Sequence, residues 1–243
     1  MAPCVIHPIP LFELWHDKSL MTYRMNFGQT ISSIGYVWYI EGPKEKVLID
    51  AGASCHYLSV VRGMPTREIQ SLDAGLTKLG LGFDDIDLII VTHLHHDHVA
   101  EAKRFSRAKF LVQKIEIEFA LNPHPSVAVQ YNREFFEGVP FEALNGDAQL
   151  SEELSVLFTP GHSPGGQSVR VKTENGTAIV TGLCTVRENF EPPSALAKTM
   201  PVITPGMHTN ALEAYDSVIR IKELTDIIVP LHEPEFQHGK PIP

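Results

Sequence analysis

The chain has 243 residues, 43% of them hydrophobic and 20% charged, which is enough for one large α/β domain or two small ones with ample core either way. A formal charge of −9 and a pI near 5.7 argue against nucleic acid or an anionic membrane surface as partner. No apolar run approaches the ~20 residues that span a bilayer, and the three cysteines, odd in number and far apart (Cys4, Cys55, Cys184), fit reduced thiols and a cytoplasmic setting.

The N-terminus, Met1-Ala2-Pro3-Cys4-Val5-Ile6-His7-Pro8, lacks a basic region followed by a long apolar one and does not read as a signal peptide. Residues 31–41 and 46–50 read as two strands joined by the turn Gly42-Pro43-Lys44-Glu45. Residues 66–79 carry Ile69, Leu72, Leu76 and Leu79 at helical spacing. The apolar stretch 87–91 is a strand, 109–112 another, and Ile115 to Leu121 a helix. A strand around Val156-Leu157-Phe158 ends at Thr159-Pro160-Gly161-His162. Strands near 168–172 and 177–181 follow, the second ending at Gly182-Leu183-Cys184. A helix from about Asn210 to Leu224 precedes the strand Ile227-Ile228-Val229, which runs to His232. No linker, charge block or repeat divides the chain, so residues 1–243 are expected to form one domain.

Directly after strand 87–91 comes His93-Leu94-His95-His96-Asp97-His98. Imidazole and carboxylate suit a borderline cation such as zinc. Alternation at a strand end points His93 and His95 one way, while Asp97 and His98 turn with the chain toward a second position. One run can therefore serve two ions. His162, Cys184 and His232 are further candidates, each just past a strand, where loops converge on a rigid sheet edge. A dinuclear metal site that hydrolyses something is the expectation.

The His93-x-His95-x-Asp97-His98 run, then Thr159 to Gly165, then Gly182-x-Cys184, then His232, resemble the successive motifs of the metallo-β-lactamase superfamily. Within it the chain is most similar to N-acyl-homoserine lactonases, through residues 36–42 leading into Val47-Leu48-Ile49-Asp50-Ala51-Gly52 and through Arg187-Glu188-Asn189-Phe190. The resemblance implies an α/β fold, an αββα sandwich of two packed mixed sheets flanked by helices, with the metals at one edge. It implies His93, His95 and His162 on one metal, and Asp97, His98 and His232 on the other. Asp50 would orient a ligand histidine through its outer N–H. Two zinc ions per chain are implied, with a zinc-bound hydroxide opening a lactone or similar cyclic ester, and Asp97 handing a proton to the leaving oxygen.

Two positions depart from the lactonases. Cys184 replaces a bridging aspartate; a thiolate is a good zinc ligand, so Cys184 is expected to join the second metal. Arg187 replaces a tyrosine that helps polarise the lactone carbonyl. An arginine there can bind a carboxylate or a developing oxyanion, which would favour an anionic substrate. A cyclic amide, a β-lactam or a thioester could be opened by the same chemistry. A mononuclear iron enzyme using oxygen, or a metal-binding scaffold without catalysis, are the readings from other classes. The partner expected is a small molecule, and a homodimer is allowed. His208 could reach the site from its loop, His96 should point away from the metals, and Phe27, Met64, Phe190 and Met207 could line a substrate pocket.

Overall fold

The computed structural model describes residues 3–243, so Met1 and Ala2 of the N-terminal segment lie outside the described residues. The strands are β1 (Val5–Asp17), β2 (Thr30–Glu41), β3 (Val47–Ile49), β4 (Thr66–Glu68), β5 (Leu88–Ile90) and β6 (Lys109–Gln113), followed by β7 (Phe141–Leu144), β8 (Ala148–Gln149), β9 (Leu154–Phe158), β10 (Gln167–Thr173), β11 (Gly176–Val180) and β12 (Ile227–Val229). They form a seven-stranded sheet in the order β4-β1-β2-β3-β5-β6-β7 and a five-stranded sheet in the order β12-β11-β10-β9-β8. Both are mixed. The first is antiparallel through β1, β2 and β3 and parallel from β3 to β7; in the second only β11 and β12 run parallel. The helices are α1 (Leu72–Lys78), α2 (His96–Val99), α3 (Lys114–Leu121), α4 (Arg133–Phe136), α5 (Arg187–Phe190), α6 (Ser194–Ala197) and α7 (Ala211–Leu224).

The pleat divides the apolar residues between layers. Val47, Ile49, Leu88 and Ile90 point into the space between the sheets, where they meet Val156, Val169, Val171 and Val180 of the second sheet. Leu48 and Ile89, one residue out of phase, join Leu72 and Leu76 of α1 on the outer face. On the far side Leu157 and Ile179 pack against Ala214, Val218 and Ile221 of α7. Helix, sheet, sheet and helix therefore stack as the expected αββα sandwich. No helix of the described residues is long and apolar enough to cross a membrane.

Two local expectations need correction. Residues 66–79 are not one helix: Thr66–Glu68 pair with Phe12–Leu14 as an edge strand, and α1 starts only after Ser71, whose side chain caps it by accepting from Ala74 N–H. The apolar spacing was real, but Ile69 belongs to the approach to the helix. The long β1 is absent from the sequence reading because Pro8 and Pro10 argue against a strand. Both pair with β2, opposite Trp38 and Tyr36, while β4 flanks β1 only from Phe12 onward. Their missing N–H groups thus fall where no ladder needs them. This matters for function, because β1 supplies one wall of the site.

Candidate metal centre

Every expected ligand lies at one edge of the sandwich, past the C-terminal ends of β5, β9, β11 and β12. Two devices hold these loops in register across the sheets. Gln167, at the start of β10, donates from its amide to the carbonyls of Val91 (2.8 Å) and Leu111 (3.1 Å), and its backbone N–H donates to Thr92 O (3.0 Å). Glu116 on α3 is fully buried and accepts from Leu94 N–H and Gly165 N–H, each at 2.9 Å, bridging the 93–98 turn to the 159–165 loop. Burial raises the pKa of Glu116, opposed by those two donors. Gly165 must be glycine, because a Cβ would sit 2.5 Å from Glu116 N. Gly161 has φ +121°, and a Cβ there would meet the backbone at Ala214, the first turn of α7. His162 is thereby fixed in place.

The histidines are tethered through their outer nitrogens. His98 Nδ1 donates to Asp50 Oδ2 (2.8 Å), His162 Nδ1 to Met207 O (2.7 Å) and His232 Nδ1 to Ile34 O (3.1 Å). Thr92 Oγ1 donates to Asp50 Oδ2 (2.9 Å), so it accepts from His93 Nδ1 at 3.0 Å. These partners assign the tautomers of His93, His162 and His232 and leave each of their Nε2 atoms with a lone pair facing inward. Asp50 is the hub: it takes Thr92 N–H (2.7 Å) as well, and holds φ +63° in the left-handed region, a conformation retained where surroundings impose it. The expected orienting role of Asp50 is met by its bond to His98.

The result is two clusters. Ligand-capable atoms of His93, His95 and His162 lie within 4.8 Å of one another, and so do those of Asp97, His98 and His232. His93 Nε2 and His162 Nε2 face each other at 3.1 Å. With both protons already committed to Nδ1, two lone pairs at that separation repel unless a cation stands between or beside them. The donor set of imidazoles and one carboxylate therefore fits a pair of divalent ions of the zinc type. Electrostatics agree. Burial, then the neighbouring imidazoles, hold His93 and His95 well below the usual histidine range. Burial above all pushes His162 and His232 down to about 4. Neutral imidazoles are the form that binds metal. His98 is the exception: burial lowers it, but the carboxylates of Asp97 and Asp50 outweigh that and carry it up to about 10. Burial, the largest single influence, raises Asp97, but His98, His96 and His232 together hold it well below the usual carboxylate range, which keeps it ionised.

Both clusters border a cavity at this edge of the sandwich, lined on its other sides by apolar side chains. Met64 and Met207 line it as expected; Phe190 is instead buried in the layer beneath α7, and Phe27 is exposed. Phe12, Leu14 and His16 of β1 and Ser33 of β2 line it too; Phe12 and Leu14 escaped the sequence reading together with β1, and His16, expected at the surface or in a structural role, borders the cavity. Cys184 also borders the cavity, but its sulfur lies outside both ligand clusters and contacts Met21 Sδ at 3.4 Å, with burial pushing its thiol far up. Arg187 is not brought to the cavity. As the first residue of α5 its side chain turns outward, pairing with Glu235 and with Glu191 (3.3 Å). His208 is not part of the cavity lining; it donates to Pro205 O (2.7 Å) with its ring edge against Tyr23.

The family model of the metallo-β-lactamase superfamily matches residues 32–232. The chain belongs to that superfamily. Among its relatives, an N-acyl homoserine lactonase of Bacillus cereus is 25% identical over 201 residues, covering 75% of this chain and 77% of that protein. An N-acyl homoserine lactonase of Bacillus thuringiensis is 31% identical over 152 residues, 61% of this chain and 55% of its own length. A solved N-acyl homoserine lactone hydrolase, with N-hexanoyl-L-homoserine at its catalytic metal centre, superposes with a TM-score of 0.80 at 23% identity, covering 99% of this chain and 97% of its own. The shared αββα architecture extends over the whole superposed length.

Asp50→Asn tests the tether. Asparagine tolerates the left-handed backbone but loses the charge that orients His98. Zinc affinity, measured by competition with a chromophoric chelator, should fall about 10- to 100-fold with helical content unchanged. Undiminished affinity would show that Asp50 serves the fold alone.

Proposed function

We propose that this protein is a dinuclear zinc hydrolase that opens the lactone ring of N-acyl homoserine lactones. The carrying observation is the pair of convergent ligand clusters at the floor of a cavity whose walls include Phe12, Leu14, Leu20, Met21, Met64 and Met207. A polar floor beneath an apolar wall suits an amphiphile whose ring reacts while its acyl chain is sheltered. The relatives described above support the same substrate class. His93, His95 and His162 would hold one ion, and Asp97, His98 and His232 the other. Bound there, the ions would supply Lewis-acid polarisation of the ester carbonyl and an activated water near neutral pH.

The chain's own groups do the rest. Asp50, Met207 O and Ile34 O keep His98, His162 and His232 from rotating, so the reaction meets a pre-set polar frame. Asp97 is the ligand with appreciable exposure, its side chain 24% accessible, and it borders the cavity. One carboxylate oxygen can accept the proton of the attacking water and pass it to the departing ring oxygen as the acyl–oxygen bond breaks. The product is the open hydroxy acid, with no covalent enzyme intermediate. The two clusters together offer more ligands than a mononuclear iron site uses, which favours hydrolysis over oxygen chemistry. Free Cys4, Cys55 and Cys184 are consistent with a cytoplasmic location.

Acid release from a panel of N-acyl homoserine lactones, a thioester, a β-lactam and a phosphodiester checks this reading. The zinc-replete enzyme should turn over the lactones fastest, and His95→Ala should lose both zinc and turnover while retaining its fold. Full activity in His95→Ala, or faster turnover of another class, contradicts it. Cys184→Ser addresses the remaining ligand question: with the sulfur outside both clusters, zinc content should stay unchanged. A loss of zinc in that variant would place the thiolate on a metal after all.

A further inference from the structure

His95 differs from the other candidate ligand histidines. His93, His98, His162 and His232 each have Nδ1 bonded to a protein oxygen, whereas His95 makes no such bond from either ring nitrogen among the described residues. Its backbone is well held: Glu116 accepts from Leu94 N–H (2.9 Å), and His95 O accepts from His98 N–H (3.0 Å). Those bonds fix where the side chain starts, not how the ring is turned. Rotation of a histidine ring about its bond to Cβ has only a broad intrinsic preference. An imidazole free to turn must be ordered by each ion that binds, at a cost in affinity.

Packing supplies the missing constraint. Among the described residues three aromatic rings meet His95 edge-on: His93 at 4.5 Å between centroids, His162 at 4.8 Å and Tyr131 at 4.8 Å, the last inclined by 75°. His93 and His162 belong to the same ligand cluster as His95, so Tyr131 is the ring that comes from outside it. Edge-to-face contacts between rings are directional, unlike aliphatic packing. Tyr131 is buried and is itself anchored on α3: its ring meets Phe119 edge-on at 5.6 Å, and its hydroxyl donates to Glu116 Oε1 over a long 3.4 Å. Glu116 therefore acts on His95 twice, through the backbone at Leu94 and through the ring of Tyr131.

We propose that Tyr131 is a positioning residue for the first ion site, its ring fixing the orientation of His95 in place of the outer hydrogen bond that the other four ligand histidines possess. This rests on the two-ion reading above. Tyr131 touches neither the ions nor the substrate in this account; it acts through His95 alone.

The test compares Tyr131→Leu with Tyr131→Phe. Stepwise zinc affinity is read by competition with a chromophoric chelator. Cadmium NMR of the loaded protein gives a resonance for each ion, one held by imidazoles alone and the other also by a carboxylate. Tyr131→Leu removes the ring and should weaken one ion about 10-fold or more, the cost typical of losing a group that orients a ligand. Only the resonance of the imidazole-only position should broaden or vanish. Tyr131→Phe keeps the ring and should hold both ions at wild-type affinity. Equal weakening of both ions in Tyr131→Leu would assign Tyr131 to the fold and overturn the proposal. Unchanged binding in that variant, or a phenylalanine variant as poor as the leucine one, overturns it too. A wild type with a single cadmium resonance overturns the two-ion reading and this inference with it. Should Tyr131→Leu fail to fold, the zinc-free wild type decides: NOEs between the rings of His95 and Tyr131, with one His95 orientation, are expected. A His95 ring that exchanges between orientations there contradicts the assignment.

Discussion

The site depends on keeping imidazole lone pairs aimed at one another in a place water barely reaches. Left alone, His93 Nε2 and His162 Nε2 at 3.1 Å would drive their loops apart. What prevents this is that each outer nitrogen is anchored in a different part of the frame: Thr92, Asp50, the loop carbonyl of Met207 and the β2 carbonyl of Ile34. The rings are therefore fixed before any ion arrives. Desolvation keeps His93, His95, His162 and His232 neutral, and neutral imidazole is the metal-binding form. Folding energy is spent on arranging ligands, and metal binding recovers it.

Those anchors are useful only if the two sheets do not slide. The inter-sheet core is apolar and non-directional, so it sets spacing more firmly than register. Gln167 and Glu116 add direction at the edge where the ligands gather. Gln167 bonds the loop carbonyl of Val91 and the β6 carbonyl of Leu111 from the second sheet, and Glu116 ties the histidine turn to the loop that carries His162. Both are buried polar groups with satisfied partners, the condition under which such groups specify one arrangement. Activity at the edge thus inherits its geometry from a few hydrogen bonds deep beneath it.

The candidate ligands were legible in the sequence because their spacing is local. His93, His95, Asp97 and His98 sit within one turn after an obvious strand, and the remaining candidates follow strands whose apolar pattern is equally plain. Much of the supporting frame was not legible. Glu116 lies among Ile115, Ile117 and Phe119 in a helix like any other, and only the folded chain brings Leu94 and Gly165 to it. The wall from β1 was hidden by Pro8 and Pro10, whose cost vanishes because that stretch of β1 lacks a partner on one side. Arg187 shows the opposite failure: its position in the order of motifs suggested a role, but helix α5 begins there and turns its side chain toward Glu235 and Glu191. His96, expected to point away from the metals, belongs to neither ligand cluster and is buried with its ring edge against Tyr57.

The proposed chemistry rests on two separate ion positions, one offered by His93, His95 and His162 and the other by Asp97, His98 and His232. Anomalous diffraction at the zinc edge, from crystals grown with zinc, addresses it directly. Two peaks, one within each cluster, are predicted. A single peak shared by all six residues, or a dominant peak at Cys184, would contradict it.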